Sequence, residues 1–114
     1  MTRVVIVKPH TPTYADPISF LQGERVEVQK PDSEYPNWHW CRNHAGKVGW
    51  VHASFLAAIT AQTVGARNYS ALELTVRSGE EVMVLEQLDG WLYVRLNSGG
   101  QGWIPESCVG PAAS

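Results

Sequence analysis

The chain has 114 residues, 44% hydrophobic and 18% charged, with a formal net charge of -2 and a pI near 6.0. So apolar a composition excludes a disordered chain, and the slight negative charge offers no attraction to a polyanion, so nucleic acid is not an expected partner. No apolar run approaches the roughly 20 residues of a membrane-spanning helix, and no membrane partner is expected.

The first residues carry only the short apolar run Val4-Val5-Ile6-Val7. A secretory signal needs an apolar region of about 7–15 residues and a small-residue cleavage site, so a cytoplasmic protein is expected. Residues 3–8 are β-branched and apolar and predict a first strand. Pro9, Pro12 and Pro17 then forbid a helix and predict a long irregular loop. Ile18-Ser19-Phe20 alternates apolar and polar, Gln22-Gly23-Glu24 is a turn, and Val26-Glu27-Val28 resumes the alternation of a half-buried strand. A second loop, 31–37, leads to the strand Trp38-His39-Trp40-Cys41-Arg42. Residues 43–46 form a tight Asn/Gly turn, Val48-Gly49-Trp50-Val51 returns, and a short turn at His52-Ala53-Ser54 precedes Phe55-Leu56. Alanines favour a helix over 57–63, but Thr60, Thr63 and Val64 argue against one.

After this point the pattern restarts. Leu74-Thr75-Val76, Ser78-Gly79-Glu80 and Val82-Met83-Val84-Leu85 repeat residues 18–29 at an offset of 56, and from Trp91 onward the offset is 53. Trp38 to Gly49 therefore has the spacing of Trp91 to Gly102. A fixed-period echo decides the architecture. No segment sustains a 3.6-residue apolar period, and five short strands per repeat divided by turn residues predict a small barrel. The expected fold is all-β: two tandem five-stranded barrels, residues 1–58 and 59–114. The seven residues between Leu56 and Val64 would form a linker too short for independent tumbling, so the barrels should pack together. Cys41 and Cys108 fall at non-equivalent places in the two repeats. A disulfide framework would recur with the repeat, so two reduced thiols are expected.

The second repeat carries, in order, Glu73-Leu74-Thr75-Val76, Ser78-Gly79-Glu80, Val82-Met83-Val84-Leu85, Gly90-Trp91, Gly102-Trp103-Ile104-Pro105-Glu106-Ser107 and Val109. The first carries Ile18-Ser19-Phe20, Gly23-Glu24, Val26, Val28, Trp38, Gly49-Trp50-Val51 and Ser54. Taken together these motifs resemble the Src homology 3 (SH3) family, and the chain is most similar overall to short bacterial-type chains built of two variant SH3 repeats. The resemblance implies a non-catalytic protein- or peptide-binding module. Its ligand surface would be a row of aromatics whose slots accept an extended or proline-containing segment, because polyproline II is preformed and loses little entropy on docking.

Carried onto the second repeat, the resemblance implies Tyr69, Trp91 and Pro105 as ligand contacts. Arg67 stands where the first tyrosine belongs, Cys108 where the late tyrosine belongs, and Glu73 is the only acid in a shortened first loop. In the first repeat it implies Trp38 and Phe55, with His52 in place of the proline and Tyr14 or His10, near Asp16, supplying a substitute first-loop face. Trp38 and Trp91 follow Asn37 and Gly90 at loop mouths, where partial exposure is expected. Side by side, the two incomplete grooves would form one composite site, with Trp38 and Phe55 facing Trp91 and Tyr69. The alternative is an assembly role, with the same aromatic faces used in inter-repeat packing or self-association.

Trp50 and Trp103 lie within the closing strands and read as structural. His39, Cys41 and His44 form a His-x-Cys-x-x-His string that invites zinc, but zinc needs a fuller ligand set, and Cys41 and His39 align with the apolar Val94 and Leu92. No metal or cofactor is expected. Nor is an enzyme, because no nucleophile, base and pocket come together in the sequence.

Overall fold

The computed structural model describes residues 2–12 and 16–110. They form β1 (Thr2–Ile6), β2 (Ser19–Phe20), β3 (Arg25–Pro31), β4 (Trp38–Asn43), β5 (Val48–His52), β6 (Gln62–Val64), β7 (Tyr69–Ser70), β8 (Glu81–Leu88), β9 (Trp91–Leu96), β10 (Gln101–Pro105) and β11 (Val109–Gly110). Short 3-10 turns occupy Ala53–Phe55 and Glu106–Cys108. The all-β expectation holds. Local chemistry sets the hairpins. Asn43 Oδ1 accepts from the backbone amides of Ala45 and Lys47 at 3.0 Å each, shaping the β4–β5 turn. Asp89 and Gly90 take successive positive φ angles of 34° and 90° between β8 and β9, a backbone that Asp-Gly turns favour.

The strands divide into two compact units, and the division is not the one the repeat predicts. One unit is continuous, residues 16–71; the other is split, residues 1–15 and 72–114. The split unit is a five-stranded antiparallel sheet ordered β10-β9-β8-β1-β11. Here β1 lies between β8, with Val4 opposite Val82 and Val5 opposite Glu81, and β11, with Ile6 opposite Val109. Side chains from these strands, with Val76 from the segment before β8, fill one core: Ile6, Val76, Val82, Leu92, Val94 and Ile104, all buried. Gly102 permits close approach, since a Cβ there would sit 2.7 Å from Leu74 Cγ and 2.8 Å from the Leu72 carbonyl oxygen.

The continuous unit has a four-stranded sheet ordered β5-β4-β3-β6 and a two-stranded ribbon, β2–β7, rather than five strands in one sheet. Its β6 takes the place that β1 takes in the split unit. Thr63 pairs with Val26, the repeat equivalent of Val82. On its other side β6 meets the end of the 3-10 turn: the Ala57 amide donates to Val64 O at 3.0 Å, and the Ala66 amide donates to Phe55 O at 2.8 Å. The buried residues Ile18, Phe20, Val26, Cys41, Val51, Phe55 and Leu56 belong to this unit.

The boundary 1–58/59–114 therefore gives way to an exchange of arms. β1 hydrogen-bonds beyond its own repeat, and β6 closes the barrel that precedes it in the chain. The backbone contacts correspond one for one. The Ile6 amide donates to Glu80 O at 2.8 Å and the Gly65 amide to Glu24 O at 2.9 Å; Gly79 donates to Ile6 O at 2.7 Å and Gly23 to Gly65 O at 2.8 Å. Of the expected linker, 57–63, residues 57–61 form a turn inside the continuous unit and 62–63 belong to β6, and the chain passes between units after residues 15 and 71. The expected strand at Leu74-Thr75-Val76 is irregular, with single bridges from Glu73 to Trp103 and from Val76 to His10.

Ile104 is fully buried in the split-unit core. Ile104→Ala should lower stability by about 2–5 kcal/mol, the usual cost of lost transfer energy plus an unfilled cavity. Denaturant unfolding of the variant beside the parent chain measures it.

Candidate ligand-binding faces

In the split unit, Trp91 opens β9 directly across from Pro105 at the end of β10, and both are half-buried. The corner is fixed by the Glu106 amide, which donates to Gly90 O at 2.9 Å. His10 reaches the same place from the N-terminal arm. Its amide donates to Val76 O at 3.1 Å and its carbonyl accepts from the Val76 amide at 3.0 Å. The imidazole stands edge-on to Trp91, with ring centroids 6.2 Å apart and planes at 81°. Its Nε2 lies 2.7 Å from Glu73 Oε1, an acceptor-only oxygen, so the imidazole donates. Both side chains are largely buried, at 16% and 13% exposure, so the bond is well shielded from water. Cys108, at the late tyrosine position, is buried and forms no aromatic wall; burial raises its thiol pKa, with Lys8 pulling the other way.

The continuous unit gathers more aromatics but covers them. Tyr69 pairs with Phe20 across the β2–β7 ribbon, and its hydroxyl donates to Trp50 O at 2.7 Å. The Tyr69 ring lies 4.4 Å from Phe55 and 5.5 Å from Phe20, centroid to centroid. The Arg67 guanidinium sits 3.8 Å over the Phe55 ring, a cation–π contact, and its Nη2 donates to Ser54 Oγ at 3.1 Å. Trp38 opens β4 opposite His52 and meets that imidazole edge-on at 5.1 Å. His52 Nδ1 accepts from the Ser54 amide at 3.1 Å. Trp38, Phe55 and Tyr69 are 5%, 5% and 7% exposed. The partial exposure expected of Trp38 is not found: as the first residue of a paired strand, it packs on the imidazole directly opposite.

The arm exchange redistributes the expected site residues. Trp91 and Pro105 stay together. Tyr69 belongs to the continuous unit, beside Phe55, and does not complete their slot. Its counterpart there is His10: the His10–Val76 bridge in the split unit matches the Tyr69–Phe20 pair in the continuous one. Tyr69, expected on the Trp91 wall, thus joins Trp38 and Phe55 in one unit, while Trp91, Pro105 and His10 come together in the other. Tyr14 lies outside the described residues. The His10–Glu73 pair was not expected, since the sequence assigns these residues to different repeats and only the pairing of β1 with β8 brings them together.

Two members of the zinc-like string are packed in the barrel, and the third, His44, is exposed with its Nε2 2.8 Å from Glu24 Oε2. Cys41 is fully buried and burial pushes its thiol up to about 12. His39 is buried beside it on β4. Trp40 and Trp50 meet edge-on at 5.1 Å, and Tyr93 and Trp103 at the equivalent positions also lie 5.1 Å apart, a pair of matched structural contacts.

Short antiparallel strands closed by a bridging arm, a strand-opening Trp set opposite Pro105 or His52, and aromatic neighbours define small barrels of the SH3 type. The variant SH3 domain family matches residues 3–59, half of the chain, and the SH3 domain family matches residues 68–106. The chain belongs to the SH3 family and carries two such repeats in tandem. No curated protein and no solved structure matches it. The family match at 3–59 runs continuously through β1 and β3–β5, although β1 closes the other barrel.

Burial, and secondarily the nearby His52, hold the His39 imidazole below its ordinary 6.5. Folding therefore favours the neutral ring: stability is full above pH 6.5 and falls as the pH drops below it, where the unfolded chain binds the proton first. In His39→Leu, which installs the residue type of the equivalent Leu92, this part of the pH dependence should vanish. Unfolding midpoints measured across mildly acidic pH give the comparison.

Proposed function

We propose that the chain is a non-catalytic binding module that takes an extended protein or peptide segment on the Trp91–Pro105–His10 face. The observation that carries this reading is the open Trp91–Pro105 corner. An indole and a pyrrolidine stand on paired strands, half-buried, with an imidazole edge forming a third wall. Such a slot suits a preformed polyproline II segment, whose flat apolar faces alternate with exposed backbone carbonyls. Family membership supports the coarser statement, since SH3 domains are interaction modules rather than catalysts. The two cysteine thiols, both raised by burial, are far from a reactive thiolate.

The aromatic set of the continuous unit supports a structural role. Its Trp38, Phe55 and Tyr69 are buried, and Arg67, at a position where the family places a tyrosine, covers Phe55 with its own side chain. Ligand recognition is thus assigned to one barrel and packing to the other.

Titration of the chain with a panel of proline-containing peptides, followed by tryptophan fluorescence, tests this assignment. For a peptide that binds, Trp91→Ala should cost about 2 kcal/mol or more, roughly 30-fold in Kd, as expected for a central aromatic anchor. Trp38→Phe should shift the unfolding midpoint and leave Kd unchanged. An affinity indifferent to Trp91→Ala contradicts the proposal.

A further inference from the structure

The two exchanged arms present almost the same backbone to their barrels, so backbone hydrogen bonding cannot tell them apart. Ile6 and Gly65 hold equivalent positions, each donating to and accepting from the same turn of its barrel, 79–80 for Ile6 and 23–24 for Gly65. What differs is side-chain size, and it differs in a complementary way. In the split unit Ile6 shares the core with Val76. At the matching place in the continuous unit Gly65 faces Phe20: a Cβ on Gly65 would lie 2.6 Å from Phe20 Cδ1, 2.8 Å from Cε1 and 2.9 Å from the Leu21 carbonyl oxygen. Isoleucine with valine, and glycine with phenylalanine, carry equal numbers of side-chain carbons. The unexchanged pairing would set Ile6 against Phe20 and Gly65 against Val76, overfilling one barrel and leaving a void in the other, and close-packed interiors tolerate neither.

A second pair repeats the logic next to the first. The Val7 amide donates to Cys108 O as the Ala66 amide donates to Phe55 O. Val7 stands against Gly110, where a Cβ would come within 2.8 Å of Val7 Cγ1. The repeat equivalent of Gly110 is Ala57, and the arm residue beside it is the smaller Ala66. A valine on this arm would meet the Ala57 methyl.

We propose that side-chain size addresses each arm to its barrel, with Ile6 and Gly65 as the positioning residues that place His10, rather than Tyr69, beside Trp91. The importance of His10 at that face rests on the proposed peptide-binding function; the addressing itself does not. The ligand face of the split unit is thus specified by a residue pair inside the barrel, and neither repeat taken as a continuous stretch contains the whole site.

Disulfide mapping on the full chain tests the address without any ligand. Val5 and Glu81 are direct cross-strand partners with no core role, and in the continuous unit Val64 pairs with Arg25 in the same register. In a Val5→Cys/Glu81→Cys chain, mild oxidation should link positions 5 and 81, and a Val5→Cys/Arg25→Cys chain should give no link within the monomer. Exchanging the keys between the arms, with Ile6→Gly, Val7→Ala, Gly65→Ile and Ala66→Val, should reverse both results, so that position 5 links to 25. Adding the matching barrel changes Phe20→Val, Val76→Phe, Ala57→Gly and Gly110→Ala should restore the link to 81, and should restore folding if the arm variant has lost it. A folded arm-swapped chain that still links 5 to 81, or a fully compensated chain that does not recover that link, overturns the proposal. Failure of the Trp91→Ala titration would leave these outcomes untouched, so the two readings fail separately.

Discussion

A small barrel is complete only when one strand bridges its two free edges, and in this chain each barrel takes that strand from the other half of the sequence. β1 bonds to β8 on one side and β11 on the other; β6 bonds to β3 and to the residues after the 3-10 turn. Without the bridging strand, the core of the split unit would lose Ile6 and expose Val76 and Val82, which it covers. A barrel this small has little apolar surface to spare, so closure and stability are nearly the same event. Because each closure draws on residues from both halves, the two barrels depend on one another through the covalent chain.

The same exchange separates the two aromatic faces by chemistry. The arm that enters the continuous unit brings Arg67 and Tyr69, which fill the space around Phe55 with a cation–π contact, ring packing and a hydroxyl bond to Trp50 O. The arm that enters the split unit brings His10, a smaller ring, bonded to Glu73 and touching Trp91 only at an edge. A tyrosine and an arginine close one face, and an imidazole leaves the other partly open. The proposed division of roles between the two repeats thus rests on which arm reaches which barrel.

Much of the barrel was legible in the sequence. Val26 and Val82, and Cys41 and Val94, stand at matched repeat positions and are buried in both units, because alternation along a half-buried strand is a local signal. The Asn43 turn and the Trp91–Pro105 corner were legible for the same reason: their residues are close in sequence or tied by a short hairpin. The arms were not. Residues 3–8 read as a strand, but a strand pattern does not say which distant edge it pairs with, and Thr60, Thr63 and Val64 spoke only against a helix before the second arm. The information that decides it, Ile6 against Val76 and Gly65 against Phe20, lies in pairs of residues far apart in the chain and has meaning only once both barrels are considered. Trp38 illustrates the other limit: its position at a loop mouth suggested exposure, and the cross-strand imidazole of His52 covers it.

Nuclear Overhauser contacts between the strands of the full-length chain in solution test the exchange most directly. The account predicts cross-strand proton contacts between Arg3 and Met83 and between Val5 and Glu81, together with contacts between Gln62 and Glu27. Contacts from Val5 to Arg25 and from Val64 to Glu81, in place of these, would show each repeat closed by its own arm and would contradict it.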